Sequence, residues 1–151
     1  MWLQLGQKYD PNWSGRPPQL LEADNPTWQK YREKVKDKMK CFYYNVAMTM
    51  YKEPEAARNE IQVRMYLYPL SKRVDAVGFD GKNYHLYEVN RSAKLRSVGQ
   101  AMSYRELWNE IAPEYKLPRT DLTYIITEFV DKDVEFICKK LNIIYEVVKN
   151  G

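Results

Sequence analysis

An Asp-Gly dipeptide at positions 80 and 81 separates two segments with strand-like patterns, and no other feature constrains the fold as strongly. Residues 73–79 mix β-branched and small side chains, and residues 83–90 alternate polar and apolar ones. Asp-Gly between two such segments is a strong signal for a tight β-hairpin turn. We therefore expect the chain to be organised around a hairpin in this region.

Each strand of the predicted hairpin carries one carboxylate, Asp75 in the first and Glu88 in the second. A two-residue turn makes them diagonal neighbours, and a four-residue turn makes them face each other. Both turns leave them on one face of the sheet, whereas a three-residue turn or a bulge would separate them. Such neighbours lie about 5 to 8 Å apart, so one divalent cation can bridge them. The alternative is an exposed carboxylate pair matched with Arg73 or Lys94.

The residues before the hairpin are predicted to form a strap, a helix and a strand. Residues 1–25 show little periodicity, so an irregular strap is expected there. Over residues 26–50, apolar side chains recur at three- and four-residue steps and predict one long helix or two stacked segments, with Asn25 or Asp24 as the cap. Residues 61–68 alternate like a strand.

The segments after the hairpin are predicted to be helix, strand, helix and strand, over residues 93–111, 122–129, 131–141 and 143–148. Ser92 can cap the first of these helices. The complete order is helix, three strands, helix, strand, helix and strand. This order predicts an α/β protein with a mixed sheet flanked by helices, in a single domain spanning residues 26–151.

The order of Asp75, then Glu88-Val89-Asn90, then a helix carrying Gln100 and Tyr104 resembles the PD-(D/E)XK nuclease superfamily. The hairpin is similar to that of archaeal Holliday-junction resolvases, and Gln-x-x-x-Tyr is similar to RecB-like and Cas4-like members. The resemblance extends over residues 53–148 in element order. It implies the restriction-endonuclease-like core, a Mg²⁺ or Mn²⁺ cofactor, and hydrolysis of phosphodiester bonds.

The resemblance also implies roles for individual residues. Asp75, Glu88 and the Val89 carbonyl would hold the metal, and Glu60 is the favoured candidate for a further ligand on a helix before the first core strand. The superfamily has lysine where this chain has Asn90, so another cation would have to supply the missing charge. The residues implied in catalysis are Asp75, Glu88, Asn90, Gln100 and Lys94, with Arg91 and Lys82 as further sources of that charge.

Positive charge is concentrated in two parts of the chain. Residues 29–40 carry six basic and two acidic side chains, and residues 71–105 carry seven basic and three acidic ones. This distribution is typical of a surface that binds a phosphate backbone, so DNA is the expected partner. A solvated helix face is the alternative explanation for residues 29–40. The expected DNA contacts are Tyr104, Arg91, Arg96, Lys72 and Lys82.

Composition argues against several other classes. No apolar run approaches the ~20 residues that span a membrane. Cys41 and Cys138 lack metal-ligand spacing, so two free thiols in a reducing cytoplasm are expected. The single histidine, His85, leaves little material for a zinc site or a serine triad, and its parity places it opposite Glu88, in a structural role. A homodimer is considered beside a monomer.

Three functions from different classes are consistent with these features. The first is a metal-dependent DNA endonuclease or exonuclease, acting on branched or single-stranded DNA. The second is a nuclease-fold protein that has lost catalysis and serves as a nucleic-acid-binding or regulatory module, which Asn90 favours. The third is a structural or protein-interaction domain whose 13 tyrosines and four tryptophans form partner surfaces.

Overall fold

The computed structural model describes residues 1–149, in which a seven-stranded mixed sheet is combined with four α-helices. The elements in chain order are β1 (Trp2–Gln4), β2 (Lys8–Tyr9), α1 (Asn25–Val35), β3 (Cys41–Thr49), α2 (Glu60–Leu67), β4 (Lys72–Phe79), β5 (Tyr84–Val89), α3 (Leu95–Ile111), β6 (Thr123–Thr127), α4 (Lys132–Lys140) and β7 (Ile144–Val147). The predicted α/β class with a mixed sheet is confirmed. Residues 150 and 151, which end the predicted domain, lie outside the described part.

The sheet has the order β1-β3-β4-β5-β6-β7, with β2 also paired to β3. The β3 and β4 strands pair in antiparallel fashion, as do β4 and β5, whereas β6 and β7 extend the sheet in parallel from β5. Parallel neighbours need a long crossover connection, and α3 supplies the one between β5 and β6. The carboxyl end of β5 therefore lies at the centre of the sheet, directly before α3.

The predicted helix over residues 26–50 is wrong beyond Val35, because Cys41–Thr49 forms the strand β3. The periodicity was ambiguous at this point. Apolar and aromatic residues occupy most positions of this segment, so their spacing fits a helix as well as a strand, and in the structure Phe42 and Val46 lie on opposite faces of the sheet. The segment is rich in aromatic side chains, which favour strands, and it pairs with β4 along most of its length.

The predicted strand over residues 61–68 is also wrong, because Glu60–Leu67 forms the helix α2. Asn59 caps this helix, with its side-chain oxygen accepting a hydrogen bond from the Gln62 amide at 2.9 Å. The neighbours of β4 are β3 and β5, so a strand at residues 61–68 would have no free edge of β4 to pair with. Five strands rather than three precede α3, because β3 takes the place of residues 61–68 and the N-terminal segment adds β1 and β2.

The N-terminal segment is more regular than the predicted strap over residues 1–25. It contains β1 and β2, both of which pair with β3 in antiparallel fashion. The indole of Trp2 is buried, and the ring of Trp13 packs 4.5 Å from that of Tyr9. The segment therefore closes the outer edge of β3, because an unpaired edge strand would leave backbone groups without partners.

Helices cover both faces of the sheet. Trp28 and Tyr31 of α1 pack on one face, and Trp108 and Ile111 of α3 pack on the other. The helix α3 begins at Leu95 rather than at residue 93, and the Lys94 amide donates to the Ser97 hydroxyl at its first turn, so Ser92 is not the cap. Both cysteines are free and buried, as predicted. Among residues 1–149, no helix has the length and apolar character to cross a membrane.

Candidate functional site

The hairpin turn between β4 and β5 sets the position of the two carboxylates. Phe79 pairs with Tyr84 and Ala76 pairs with Tyr87, which leaves a four-residue loop over residues 80–83. The same register brings Asp75 opposite Glu88, as predicted for a four-residue turn. The Val89 amide donates a 2.8 Å hydrogen bond to Asp75 Oδ2, so this carboxylate is fixed against the end of β5.

The strand β3 is distorted beside Asp75. Asn45 lies between two regular β3–β4 pairs and has a φ of +54°, a left-handed conformation that asparagine tolerates better than most residues. Its side-chain amide donates to the Tyr68 hydroxyl at 2.6 Å. The Arg73 guanidinium stacks 3.7 Å from the centre of the Tyr68 ring and donates to the Tyr68 carbonyl at 3.1 Å. This arrangement holds Arg73 at the edge of the carboxylate pair.

A cavity of about 400 Å³ opens over the two carboxylates, and we call it the carboxylate cavity. Its walls come from residues 19–24, the start of β4, the end of β5, and the first turns of α3. The side chains that line it include the acids Asp24, Asp75 and Glu88, the cations Arg73, Lys94 and Arg96, and the polar residues Asn90, Gln100 and Tyr104. Most predicted catalytic residues therefore lie around one space.

Glu88 is the most perturbed acid in this cavity. Only 3% of its surface is exposed, and Oε2 has no hydrogen-bond partner among the described residues. Burial is the main reason that the pKa of Glu88 rises to about 10, and the nearby charges of Asp75 and Asp24 raise it further. Burial also raises the pKa of Asp75, although contacts with Glu88 and the Val89 amide oppose that shift. Glu88 is therefore protonated at neutral pH until a cation displaces its proton.

Asp24 is a site residue that the sequence analysis missed, having considered it only as a helix cap. Its side chain makes no capping hydrogen bond to α1. Oδ1 instead accepts from the Arg91 amide at 2.8 Å, which ties the start of α1 to the segment after β5. The sequence shows an acid directly before the predicted helix. Its burial and its place in the cavity depend on how α1 packs beside β5, which the sequence pattern does not reveal.

Glu60, the predicted additional metal ligand, is not part of the carboxylate cavity. It is exposed at the start of α2 and lines a separate depression beside Trp2 and Arg64. The prediction placed Glu60 on the helix before the first core strand. That helix is α1, and Asp24 at its start is the upstream acid that reaches the cavity.

The helix α3 contributes the polar wall opposite Asp75. The Tyr104 hydroxyl donates to Glu88 Oε1 at 3.5 Å, and Gln100 lies one turn earlier on the same helix face. The Ser97 hydroxyl donates to Asn90 Oδ1 at 2.7 Å, which fixes the amide at the position following Val89. Gln100 and Tyr104 thus adjoin the carboxylates, as the motif implied.

The predicted cations divide into two groups. Arg96 and Lys94 line the carboxylate cavity, although Lys94 Nζ also lies 3.8 Å from Asp131. Lys72 lines a groove that adjoins it. Arg91 and Lys82 do not line either space.

The reasons differ for these two residues. The Arg91 guanidinium donates to Glu128 Oε2 at 3.1 Å and packs 5.4 Å from the Phe129 ring centre, so it turns away from the carboxylates. Lys82 belongs to the hairpin loop, and Glu88 is near the opposite end of β5. A strand advances ~3.3 Å per residue, so the loop is too far away for Lys82 to act at the carboxylates.

The donor set fits a small oxygen-binding cation. Within residues 1–149, no three side chains of His, Cys, Asp or Glu gather closely enough to form a metal cage. Asp75 and Glu88 with the Val89 carbonyl offer few oxygen ligands, and Mg²⁺ commonly takes one or two carboxylates, completing its shell with water and substrate phosphate. The unpartnered Glu88 Oε2 supplies a ligand atom that the fold leaves unused.

Comparisons with protein-family models, with curated proteins and with solved structures give no significant match for this chain.

Proposed function

We propose that the protein is a metal-dependent nuclease that hydrolyses phosphodiester bonds in DNA. The observation that carries this proposal is the unpartnered, buried Glu88 Oε2 opposite Asp75, in a cavity whose rim bears Arg73, Lys94 and Arg96. Paired acids below a rim of cations suit a substrate that brings a phosphate together with a divalent ion. Burying two carboxyl groups beside each other costs stability, because each is desolvated next to the charge of the other, so stability alone gives no reason for the pair.

The residues around the cavity suit the requirements of phosphodiester hydrolysis. Asp75, Glu88 and the Val89 carbonyl would hold Mg²⁺ or Mn²⁺, which lowers the pKa of bound water and neutralises phosphate charge. Arg96 and Arg73 can bind the non-bridging phosphate oxygens as charge-assisted donors. The amide of Asn90, held by Ser97, can orient an attacking water but brings no charge.

The superfamily assignment is part of the proposal. Asp75 on β4, Glu88 on β5, and Gln100 and Tyr104 on α3 all line one cavity, which is the arrangement that the PD-(D/E)XK resemblance implies. A mixed sheet with helices on both faces is compatible with the restriction-endonuclease-like core. The upstream acid in this arrangement is Asp24 rather than Glu60.

A second candidate is a catalytically weakened nuclease-fold protein that binds nucleic acid without efficient cleavage. Asn90 favours it, because an amide stands where the superfamily has an ammonium group. Lys94 and Arg96 are the cations nearest in sequence that line the cavity, and Lys94 is partly engaged by Asp131. Whether Arg96 or Lys94 supplies the missing charge decides between the two candidates.

The first experiment measures Mn²⁺ binding by calorimetry and cleavage of plasmid and single-stranded DNA, for Asp75→Asn and Glu88→Gln. We expect both variants to lose measurable Mn²⁺ binding and to cleave at least ~10²- to 10³-fold more slowly, because several kcal/mol of transition-state stabilisation are lost. Glu60→Gln is the matched control and should behave as the wild type. Unchanged Mn²⁺ binding in both site variants would remove the metal site.

The Asn90→Lys variant separates the two candidates in the same assays. In a weakened enzyme it should raise Mn²⁺-dependent nicking, since groups of this kind contribute ~10²- to 10⁴-fold. In an active enzyme whose charge comes from Arg96 or Lys94, it should change the rate little or lower it. If the wild type and Asn90→Lys are both silent on single-stranded, duplex and branched DNA, the nuclease proposal fails and the binding module replaces it.

A further inference from the structure

A wide groove of about 1,020 Å³ adjoins the carboxylate cavity, and we call it the side groove. It lies along α3 and the start of β4, and it shares Arg73, Arg96, Gln100 and Tyr104 with the carboxylate cavity. The two spaces are therefore continuous, and the side groove leads from the protein surface to the paired acids.

Three cations and one acid, Glu106, line the side groove, and the cations have no acidic partner among the described residues. Lys72, Arg73 and Arg96 form no salt bridge within the part of the chain that the structure describes. Lys72 and Arg73 make hydrogen bonds only to backbone carbonyls, those of Leu70 and Tyr68. A row of unneutralised cations beside a groove is complementary to a chain of phosphates.

Gly99 lines the side groove, and packing does not account for it. It lies within the helix α3, where glycine is less favourable than alanine. A methyl group added at Gly99 would meet nothing within 4 Å, so no neighbouring atom requires its absence. Glycine at an open position in a helix is expected where another backbone must approach closely. The open backbone at Gly99 therefore leaves room for a ligand in the side groove to approach α3 closely.

The apolar part of the side groove completes the description of its ligand. Met102 and Leu107 of α3 supply apolar surface within the side groove. Unpaired bases can pack on such surface while their phosphates follow the cations, whereas the bases of a duplex are already stacked on each other. Two of the three acids of the carboxylate cavity are also recessed, since Glu88 is only 3% exposed and Asp24 only 8%.

We propose that the side groove binds a single strand of DNA and guides it to the carboxylate cavity, with its backbone passing over Gly99. This inference rests on the proposed nuclease function and specifies its substrate as a single-stranded segment, such as a frayed end or a flap. An intact duplex is a rigid rod that stays at the rim, while a single strand can turn one phosphate into the recess.

The test is fluorescence anisotropy with a labelled oligonucleotide, as a single strand and as a duplex, in EDTA. Wild-type protein should bind the single strand about tenfold or more tightly than the duplex, and Gly99→Leu should remove about tenfold of the single-strand affinity. Glu110→Leu, an exposed position on α3 outside the side groove, is the control and should bind at least as tightly as wild type. Gly99→Ala should raise the melting temperature, because alanine favours the helix. A helix that tolerates a side chain at this position shows that a loss of binding in Gly99→Leu is not a loss of folding.

The cations give a second readout in the same assay. Replacing Lys72, Arg73 and Arg96 with alanine should lower the slope of log affinity against log salt by about 2, since each single-strand phosphate contact contributes ~0.7. Equal affinity for duplex and single strand, or unchanged binding by Gly99→Leu, overturns the proposal. Light scattering gives a further outcome. If the wild type is a dimer and Gly99→Leu is a monomer, the side groove is occupied by a second copy of the chain, and the proposal is overturned.

The two proposals fail differently. The binding measurement in EDTA needs neither metal nor cleavage, so indifference to Gly99 removes the side groove while leaving the metal site intact. Absence of Mn²⁺ binding and cleavage removes the nuclease while leaving any single-strand binding in place.

Discussion

Tyr87 and Glu88 are consecutive residues of β5, and both are buried, yet they point to opposite faces of the sheet with different surroundings. Tyr87 lies among aromatic rings on the side of α1, with the centres of Tyr31 and Tyr124 at 5.2 and 4.8 Å. We call this side the aromatic face. Glu88 lies on the side of α3, beneath the carboxylate cavity.

Several polar groups on the aromatic face have partners, although the buried Thr27 hydroxyl of α1 has none among residues 1–149. The Trp28 indole donates to the Tyr44 hydroxyl at 3.3 Å, and the Tyr31 hydroxyl donates to Tyr87 at 3.5 Å. His85 contacts Tyr124 through Nδ1 and Asp80 through Nε2, at 2.7 and 2.8 Å, in the structural role expected from its parity. Glu88 Oε2 on the other face has no partner among residues 1–149.

The difference shows that a shifted pKa does not by itself indicate function. Burial raises the pKa of Tyr124 and Tyr44 to about 12, but a tyrosine is already neutral at physiological pH, so nothing changes in its charge. The same cause raises the pKa of Glu88 to about 10 and does change its charge at neutral pH. A cavity beside the perturbed group is the second condition, and only Glu88 meets both in this comparison.

The largest expected effect separates the two faces by stability. Trp28 is fully buried in the aromatic face, and Trp28→Ala should lower the free energy of unfolding by ~3–5 kcal/mol. Glu88→Gln should change it by less than ~1 kcal/mol at about pH 4, below the unfolded pKa near 4.5, where the acid is largely protonated in both the folded and the unfolded chain and glutamine matches its shape and charge. Urea unfolding in EDTA measures both. A loss in Glu88→Gln as large as that in Trp28→Ala would make Glu88 a structural residue.

The pH dependence of stability should sharpen the comparison. The folded-state pKa of Glu88 is raised to about 10, so the folded protein holds a proton that the unfolded chain has released. Stability therefore falls as pH rises above the unfolded value near 4.5 toward 10, by as much as ~1.36 kcal/mol per pH unit. Between pH 6 and pH 8 the wild type should lose up to ~2.7 kcal/mol relative to Glu88→Gln.

The control for this prediction is Tyr87→Phe on the aromatic face. Its tyrosine stays neutral across the same pH range, so wild type and Tyr87→Phe should lose stability in parallel. Groups that do not contact Glu88 contribute equally to both proteins of each pair, whereas the pKa of Asp75 depends on its contact with Glu88 and changes with it. Identical pH profiles for wild type and Glu88→Gln would contradict the raised pKa.

The hairpin and the final elements were predictable because their signals are local. The Asp-Gly turn located the hairpin, and the parity of a two- or four-residue loop put Asp75 and Glu88 on one face, while the structure selects the four-residue loop. The helix α4 was bounded by Asp131, which does cap it by accepting from the Asp133 and Val134 amides. Segments that show a single periodicity and are bounded by turn or capping residues could be predicted without tertiary information.

The first half of the chain was not predictable in the same way. The segment forming β3 has apolar residues on both faces, so its spacing fits a helix or a strand, and its central position in the sheet decides between them. The segment forming α2 alternates, yet Ile61 and Met65 are exposed. The residues that pack inward are Val63 and Leu67, four positions apart as in a helix. Because the helix and the strand were assigned to the wrong segments here, Glu60 was predicted as the additional acid, and Asp24 was considered only as a helix cap.

The smallest expected effect compares two buried hydroxyl groups, those of Tyr104 and Tyr87. Tyr104→Phe and Tyr87→Phe each remove one weak hydrogen bond, and each should cost less than ~1 kcal/mol of stability. The metal site should distinguish them. The Tyr104 hydroxyl donates to Glu88 Oε1, and this contact favours the charged carboxylate and lowers its pKa.

Without the Tyr104 hydroxyl, Glu88 holds its proton more tightly, and a metal must displace that proton. Mn²⁺ affinity in Tyr104→Phe should therefore fall about fivefold at neutral pH, the equivalent of ~1 kcal/mol, and recover as pH rises. Tyr87→Phe should bind Mn²⁺ as the wild type does at every pH. Calorimetry across a pH series measures both variants. Equal Mn²⁺ affinities in the two would show that Tyr104 only fills the wall of the cavity, because a donor to the ligand carboxylate has to affect its competition between proton and metal.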